Sequence, residues 1–303
     1  MASLPVAALD SQVRDIGGKR FDFDKQIAVM AIVNRTPDSF YDKGSTFALD
    51  AAVAAALRAV EAGADWVDIG GVPFGKGPHV SVEEEAERIF PLVTAIASHS
   101  DVVISVDTTS AVIASGAIAA GASVINDTSG LWDRDMAGAV AETDATLVLT
   151  HSIGPPRSEP RAPKYADVVD EVRAFLEERV DRAMVAGVPA HRLIVDPGHD
   201  LNKNTLHSLD LVRRLDEIVA IGLPTLVAVS NKDFVGESIN RRPKQERLEG
   251  SLAAMVACIY NGARIVRMHN IRETVDAVRM TEVMLGMHEP AYLRHCMGWE
   301  EKT

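Results

Sequence analysis

Cysteine is scarce: the chain holds two, Cys258 and Cys296, and neither belongs to a Cys-x-x-Cys pair. That argues against a disulfide framework or a cysteine-built zinc site, and points to a reducing, cytoplasmic setting. Long apolar runs are also missing, and none reaches the ~18 residues of a spanning helix. Positive charge is in deficit. Lys and Arg number 31 against 43 Asp and Glu, a net charge of −12. A broad nucleic-acid or anionic-membrane surface needs a basic footprint, so neither partner is expected. A small basic site inside a cleft remains compatible with that balance. The first residues carry Asp10, Arg14 and Asp15 and do not read as a secretory signal.

What is present is a globular composition, 47% hydrophobic and 24% charged over 303 residues. Short β-branched runs alternate with Ala-rich stretches. The runs at 27–33, 66–69, 102–106, 123–125, 145–149, 193–195, 225–229 and 264–266 read as strands buried on both faces. Apolar residues at three- and four-residue spacing predict helices over 49–61, 82–97, 110–119, 135–142, 166–185, 206–219, 246–260 and 272–285. Eight strands, each followed by a helix, predict an α/β protein with a (β/α)8 TIM barrel in a single domain. A doubly wound open sheet is the alternative. Glycine recurs at Gly63, Gly121, Gly187 and Gly262, each ending a helix before an even-numbered strand, which suggests a fourfold quasi-repeat. Residues 1–26 form an N-terminal extension, with a β-hairpin around Gly17-Gly18 that could plug the barrel floor. The barrel spans 27–286, and 287–303 form a C-terminal tail.

In such a barrel the chemistry sits beyond the C-terminal ends of the strands. Those ends carry Asn34, Asp68, Asp107, Asn126-Asp127, His151, Asp196, Ser230-Asn231-Lys232, and Arg267 with His269. A lone Asp or Asn there is more often a loop residue satisfying backbone groups. Hydrogen-bonding groups at all eight ends are harder to dismiss. Asp107, Asn126 and Asp196 suit a flat heterocycle with several N–H groups. Arg267, His269 and Asn34 suit a phosphate and its Mg²⁺, and Lys232 could reach either ligand. Asp68 reads best as a structural carboxylate inside the barrel.

These motifs resemble the dihydropteroate synthase family over residues ~27–286. Met30-Ala31-Ile32-Val33-Asn34-Arg35-Thr36-Pro37-Asp38-Ser39-Phe40 is similar to the family's first loop. Gly63 to Gly71, Ile104-Ser105-Val106-Asp107-Thr108, Ile125-Asn126-Asp127, Asp196-Pro197-Gly198, Ser230-Asn231-Lys232 and Arg267-Met268-His269 complete the resemblance. It implies a transferase site that joins 6-hydroxymethyl-7,8-dihydropterin pyrophosphate to p-aminobenzoate. By the same resemblance, Asp107, Asn126, Asp196 and Lys232 hold the pterin, Arg267 and His269 hold pyrophosphate, and Asn34 meets Mg²⁺. Asp42 is the carboxylate near the pterin cation formed as pyrophosphate leaves. A homodimer is implied too.

The departures are concentrated in the loops. After Gly70-Gly71 the family continues Glu-Ser-Thr-Arg-Pro-Gly, whereas this chain has Val72-Pro73-Phe74-Gly75-Lys76-Gly77. A loop without its arginine loses a forked anion contact that Lys76 cannot reproduce. Arg35 and Lys43 replace small residues in the first loop. Asp200-Leu201-Asn202-Lys203 stands for Gly-Phe-Gly-Lys, so the aromatic wall for p-aminobenzoate becomes Leu201. Asn231 and Asp233 replace Arg and Ser. The expectation is a paralogue with weak or no synthase activity, reduced by ~10²–10⁵. The alternatives are a working synthase with variant loops, a transferase using another nucleophile, and a non-catalytic pterin-binding or scaffold protein.

Overall fold

The computed structural model describes residues 12–34, 44–72, 80–158 and 162–296. An antiparallel hairpin comes first, β1 (Val13–Ile16) with β2 (Lys19–Asp22), turning on Gly17 and Gly18, both at positive φ. The alternating units follow: β3 (Ala28–Asn34), α1 (Gly44–Glu61), β4 (Trp66–Gly70), α2 (Val82–His99), β5 (Val103–Asp107), α3 (Ala111–Ala120), β6 (Val124–Asp127), α4 (Met136–Ala141), β7 (Thr146–Thr150) and α5 (Val168–Val185). The second half holds β8 (Leu193–Asp196), α6 (Thr205–Arg213), α7 (Leu215–Val219), β9 (Leu226–Val227), α8 (Asp233–Ser238), α9 (Leu248–Tyr260), β10 (Ile265–Met268) and α10 (Ile271–Met284).

The eight strands β3 to β10 are parallel, in the order β8-β7-β6-β5-β4-β3-β10-β9. A single parallel bridge, Val195 to Thr225, joins the two ends and closes the ring. The fold is therefore the (β/α)8 barrel anticipated from the alternation. Gly63, Gly121, Gly187 and Gly262 have φ of 99°, 120°, 105° and 103°, so each is a left-handed stop as its recurrence suggested. Some boundaries differ. The helix expected over 206–219 is two, because Arg214 leaves the helical region at φ −115°, ψ 29°. The strand expected at 225–229 shortens to Leu226–Val227, and α8 forms where no element is expected from the sequence.

Side chains alternate across each strand. The outward set, such as Val67, Ile69, Leu147 and Leu149, packs under the helices. Helix α2 shows how: Ser81 accepts the Glu84 amide at its start, Glu83 to Glu85 face the positive end of the dipole, and Ile89, Leu92, Val93 and Ile96 form the buried stripe. The inward set is a second core. Met30, Trp66, Val103, Val124, Val148, Ile194, Leu226 and Ile265 meet Ile16, Phe21 and Phe23 of the hairpin segment. Phe21 meets Trp66 edge to face at 5.5 Å. The hairpin thus stoppers the lower end, and each large apolar side chain so buried stabilises the fold by about 1.5–3 kcal/mol.

Two residues further along six of the eight strands, the inward position turns polar; β3 and β9 carry Ile32 and Ala228 there. Asp68 follows Trp66, Ser105 follows Val103, Asn126 follows Val124, Thr150 follows Val148, Asp196 follows Ile194 and Arg267 follows Ile265. The barrel is a dry plug below and a polar mouth above. A cavity of about 180 Å³ beside Asp65 and Glu282 lies apart from the mouth. Its carboxylates are structural, accepting the amides of Val29 at 2.8 Å and Ile27 at 2.7 Å.

Candidate functional site

Asp68 organises the mouth. It is fully buried, and its two oxygens accept Ser105 Oγ at 2.6 Å, Asn126 Nδ2 at 3.2 Å and Arg267 Nε at 2.6 Å. Arg267 also donates through Nη2 to Asp107 Oδ2 at 3.2 Å, while Thr128 Oγ1 donates to Asp107 Oδ1 at 3.1 Å. Strands β4, β5, β6 and β10 are thereby tied together by one guanidinium and two carboxylates. The structural role read for Asp68 is the one seen. It also fixes Asn126, whose amide nitrogen is committed and whose Oδ1 is buried without a partner.

Electrostatics follow from this burial. Burial drives the Asp107 carboxyl up to about 7, against the pull of Arg267. Asp196 is pushed up to about 6 by burial, although its Oδ1 accepts the Gly198 amide at 2.7 Å. Burial pulls the Lys232 ammonium down, with Asp200 opposing. Burial also lowers His269 to about 4, helped by Arg267 and Lys232, and its Nδ1 lies 2.9 Å from Ser230 Oγ. Burial works against the Arg267 charge, but Asp68 and Asp107 more than offset it, so this side chain stays cationic.

The loop after β8 is rebuilt rather than eroded. Asp200 and Asn202, standing where the resembled pattern has glycine, have φ of 63° and 54°. Asp and Asn are the side-chain-bearing residues that best tolerate this left-handed region. Each also makes use of its side chain. Asp200 Oδ2 accepts the amides of Asp233 at 2.6 Å and Phe234 at 3.3 Å, capping α8. Asn202 Oδ1 accepts Ser152 Oγ at 3.1 Å and the Ile153 amide at 2.9 Å. Leu201 is buried. Lys203 Nζ donates to the Gly198 and Leu201 carbonyls at 2.9 Å and approaches His151 Nδ1 at 2.7 Å. Burial lowers Lys203 to about 7 and His151 to about 2.

Across the mouth, Arg247 pins the loop that carries Lys232. Its Nη1 donates to the carbonyls of Asn231 at 2.8 Å and Lys232 at 3.0 Å and to Asp233 Oδ1 at 2.9 Å. Asn231, at φ 58°, donates its amide to Ser251 Oγ. A groove of about 1270 Å³ opens from Asp107 over Thr128, Trp132, Ser152, Leu201 and Lys203.

Of the residues singled out in the sequence, Asn126 and Arg267 meet at Asp68, Arg267 links them to Asp107, and Asp196, Lys232 and His269 lie within the electrostatic reach of Arg267. Asn34 closes β3. Asp42, Arg35, Lys43 and residues 73–77 lie outside the described residues. Sequence reasoning passed over Thr150, His199 and Arg247. Thr150 was detectable, because strict alternation from Val148 places it inward at the mouth. Arg247 and His199 carry no local signal, since loops distant in sequence give them their surroundings.

The sequence matches the Pterin binding enzyme family over residues 30–269. It is 44% identical over 279 residues to the Inactive dihydropteroate synthase 2 of Mycobacterium leprae, covering 90% of this chain and 95% of that protein. It is 41% identical over 262 residues to the Dihydropteroate synthase of Escherichia coli, covering 86% and 93%. Dihydropteroate synthase from Xanthomonas albilineans in complex with 7,8-dihydropteroate superposes with a TM-score of 0.81 at 36% identity, over 90% of this chain and 98% of that one. Barrel, polar mouth and sequence agree: the chain belongs to the dihydropteroate synthase family of pterin-binding enzymes, as a divergent paralogue.

Proposed function

We propose that this protein binds a pterin-type small molecule in the barrel mouth and has weak or no dihydropteroate synthase activity. Asp107, Asn126, Asp196 and Lys232 hold the heterocycle in this reading, and Arg267 with His269 faces the pyrophosphate. The observation that carries it is the contrast between floor and loops. The inward polar residues of β4 to β8 are assembled, whereas residues 72–77 lack the arginine of the family's second loop. The remaining guanidinium, Arg267, is already held by Asp68 and Asp107. An arriving anion must share that charge, so stabilisation of the leaving pyrophosphate is reduced. The relative from Mycobacterium leprae, which bears the word inactive in its name, supports the same reading.

Asn34 offers one neutral oxygen donor for Mg²⁺. That fits an ion which keeps most of its waters and takes its other ligands from substrate phosphates. When bound, the ion would neutralise pyrophosphate charge. Among the described residues no group of three His, Cys, Asp or Glu side chains is placed to hold a metal ion. Asp42 would be the carboxylate beside the pterin cation in any residual reaction. A cytoplasmic location fits the two free cysteines, and no described helix is long and apolar enough to cross a membrane. A homodimer through α9 and α10 completes the proposal.

The test is single-turnover product formation by the purified full chain. The substrates are 6-hydroxymethyl-7,8-dihydropterin pyrophosphate and p-aminobenzoate, and calorimetry with 6-hydroxymethylpterin runs alongside. Pterin binding is expected, with turnover at least ~10² below that of a working synthase. Turnover at the level of a working enzyme would favour the second reading, an authentic synthase, which the 41% identity to the Escherichia coli protein supports. Binding with no product would fit an inactive paralogue or a non-catalytic binding protein.

A further inference from the structure

Thr150 ends β7 and faces the barrel interior, one inward position beyond Val148 of the inner core. It is in register with Asp196 on β8, so two polar side chains stand at the same height on adjacent strands. A Cβ built on Gly198 would meet the Thr150 methyl group at 3.3 Å, which places that methyl on the Gly198 side. The hydroxyl is buried and has no hydrogen-bond partner. On the other flank, Asn126 Oδ1 is also buried and unpartnered, because Asp68 holds the amide end of that side chain.

Buried polar atoms are nearly always paired, so two unpaired ones on neighbouring strands need an explanation. Valine has the shape of threonine and would continue the Leu147-Val148-Leu149 run without burying an unpaired hydroxyl. A hydroxyl at that position gains only if something outside the protein chain completes it. Thr150 is level with Asp196, and Asn126 stands on the other side of β7, level with Val148, so the two atoms stand on and beside β7 at the mouth, where a ligand would enter. Asn126 Oδ1 and the Asp196 carboxylate are acceptors and select N–H groups. A threonine hydroxyl can rotate to donate instead.

We propose that Thr150 is a specificity-determining residue of the heterocycle site: its hydroxyl donates to a ring nitrogen or carbonyl oxygen of the bound heterocycle, while Asn126 Oδ1 accepts an adjacent ring N–H. This rests on the pterin reading given above. It restricts the ligand to a heterocycle that presents a lone pair next to an N–H, and it disfavours analogues in which carbon replaces that acceptor. A site built to hydrogen-bond such a group rejects ligands lacking it, because its own polar atom is then left unpaired.

The experiment compares wild type, Thr150→Val and Thr150→Ser by calorimetry with 6-hydroxymethylpterin and by melting of the ligand-free proteins. Thr150→Val should weaken binding about five- to tenfold, the range for one neutral hydrogen bond. Thr150→Ser should stay within about twofold of wild type, since the donor is kept. Ligand-free Thr150→Val should melt at or above wild type, because an unpaired buried hydroxyl has been removed. Equal pterin affinity of wild type and Thr150→Val would overturn the assignment and leave the pterin reading intact. A lower ligand-free melting temperature in Thr150→Val that Thr150→Ser restores would also overturn it, by revealing a structural partner. Failure of wild type to bind the pterin would overturn the pterin reading and the Thr150 assignment together.

Discussion

His199 shows how far one residue's surroundings can depart from its sequence context. It follows Asp196-Pro197-Gly198, is 1% exposed, and stacks on Phe234 with ring centroids 5.9 Å apart. Both ring nitrogens are buried without partners. Burial lowers its pKa to about 3, and the positive charges of Lys203 and Lys232 act in the same direction. The folded protein therefore keeps this ring neutral down to about pH 3, whereas an unfolded chain protonates it near pH ~6.5. Between those values the unfolded state binds more protons, so stability falls as pH drops, by up to ~1.4 kcal/mol per pH unit from this residue. His199→Phe keeps the stack on Phe234 and removes the titration. Its melting temperature should gain on wild type as pH goes from 7 to 4, a difference worth about 3 kcal/mol at pH 4. Parallel melting curves for the two proteins across that range would refute the argument.

At the scale of elements, legibility followed locality. Strands and helices were readable because a strand buried on both faces leaves a short apolar run, and a helix leaves a stripe. Polar residues at the strand ends were readable because the barrel's rule fixes where they point. Short-range breaks were not: Arg214 ends α6 while tied to Asp167 at 2.8 Å, a residue 47 positions away. The sequence marks the loop after β8 as altered, and by residue type alone its replacements read as losses. In the structure, Asp200 and Asn202 hold a left-handed backbone of the kind glycine favours and make contacts to α8 and to the loop after β7. That distinction matters for repair. Replacing residues 72–77 by Glu-Ser-Thr-Arg-Pro-Gly, together with Leu201→Phe, should return an anion contact and an aromatic wall worth ~0.5–1.5 kcal/mol. Partial turnover above the parent protein is expected in single-turnover assays, since loop grafts lack their supporting shell. A graft that folds and binds 6-hydroxymethylpterin yet yields no product above background would move the defect to Arg35, Asn231 or Asp233.

On the scale of the whole molecule, the apolar residues of the last two helices divide as a barrel with one further contact surface would require. Met255, Ile259, Val275 and Val278 are buried in the core, and Val256 and Val283 are half-buried. Met280 and Met284 are 58% and 49% exposed, one turn apart on the same face of α10, and Tyr260 at the end of α9 is 52% exposed. Single exposed apolar residues are common, but a pair at this spacing on α10, which packs against the α9 that ends in exposed Tyr260, marks a candidate contact surface. Three side chains alone fall short of the ~800 Å² per partner of a stable interface, so the polar residues around them must take part. Two-fold apposition is self-complementary, so each methionine faces the same surface of the second copy. The double substitution Met280→Glu and Met284→Glu then places four carboxylates in one interface for two changes in sequence. Wild type should scatter light as a dimer at micromolar concentration, and the double variant as a monomer with an unchanged melting profile at high dilution. A monomeric wild type would remove the dimer from the proposal. A dimeric double variant would keep the dimer and move its interface away from α10, to a face where the barrel's helices present no such pair.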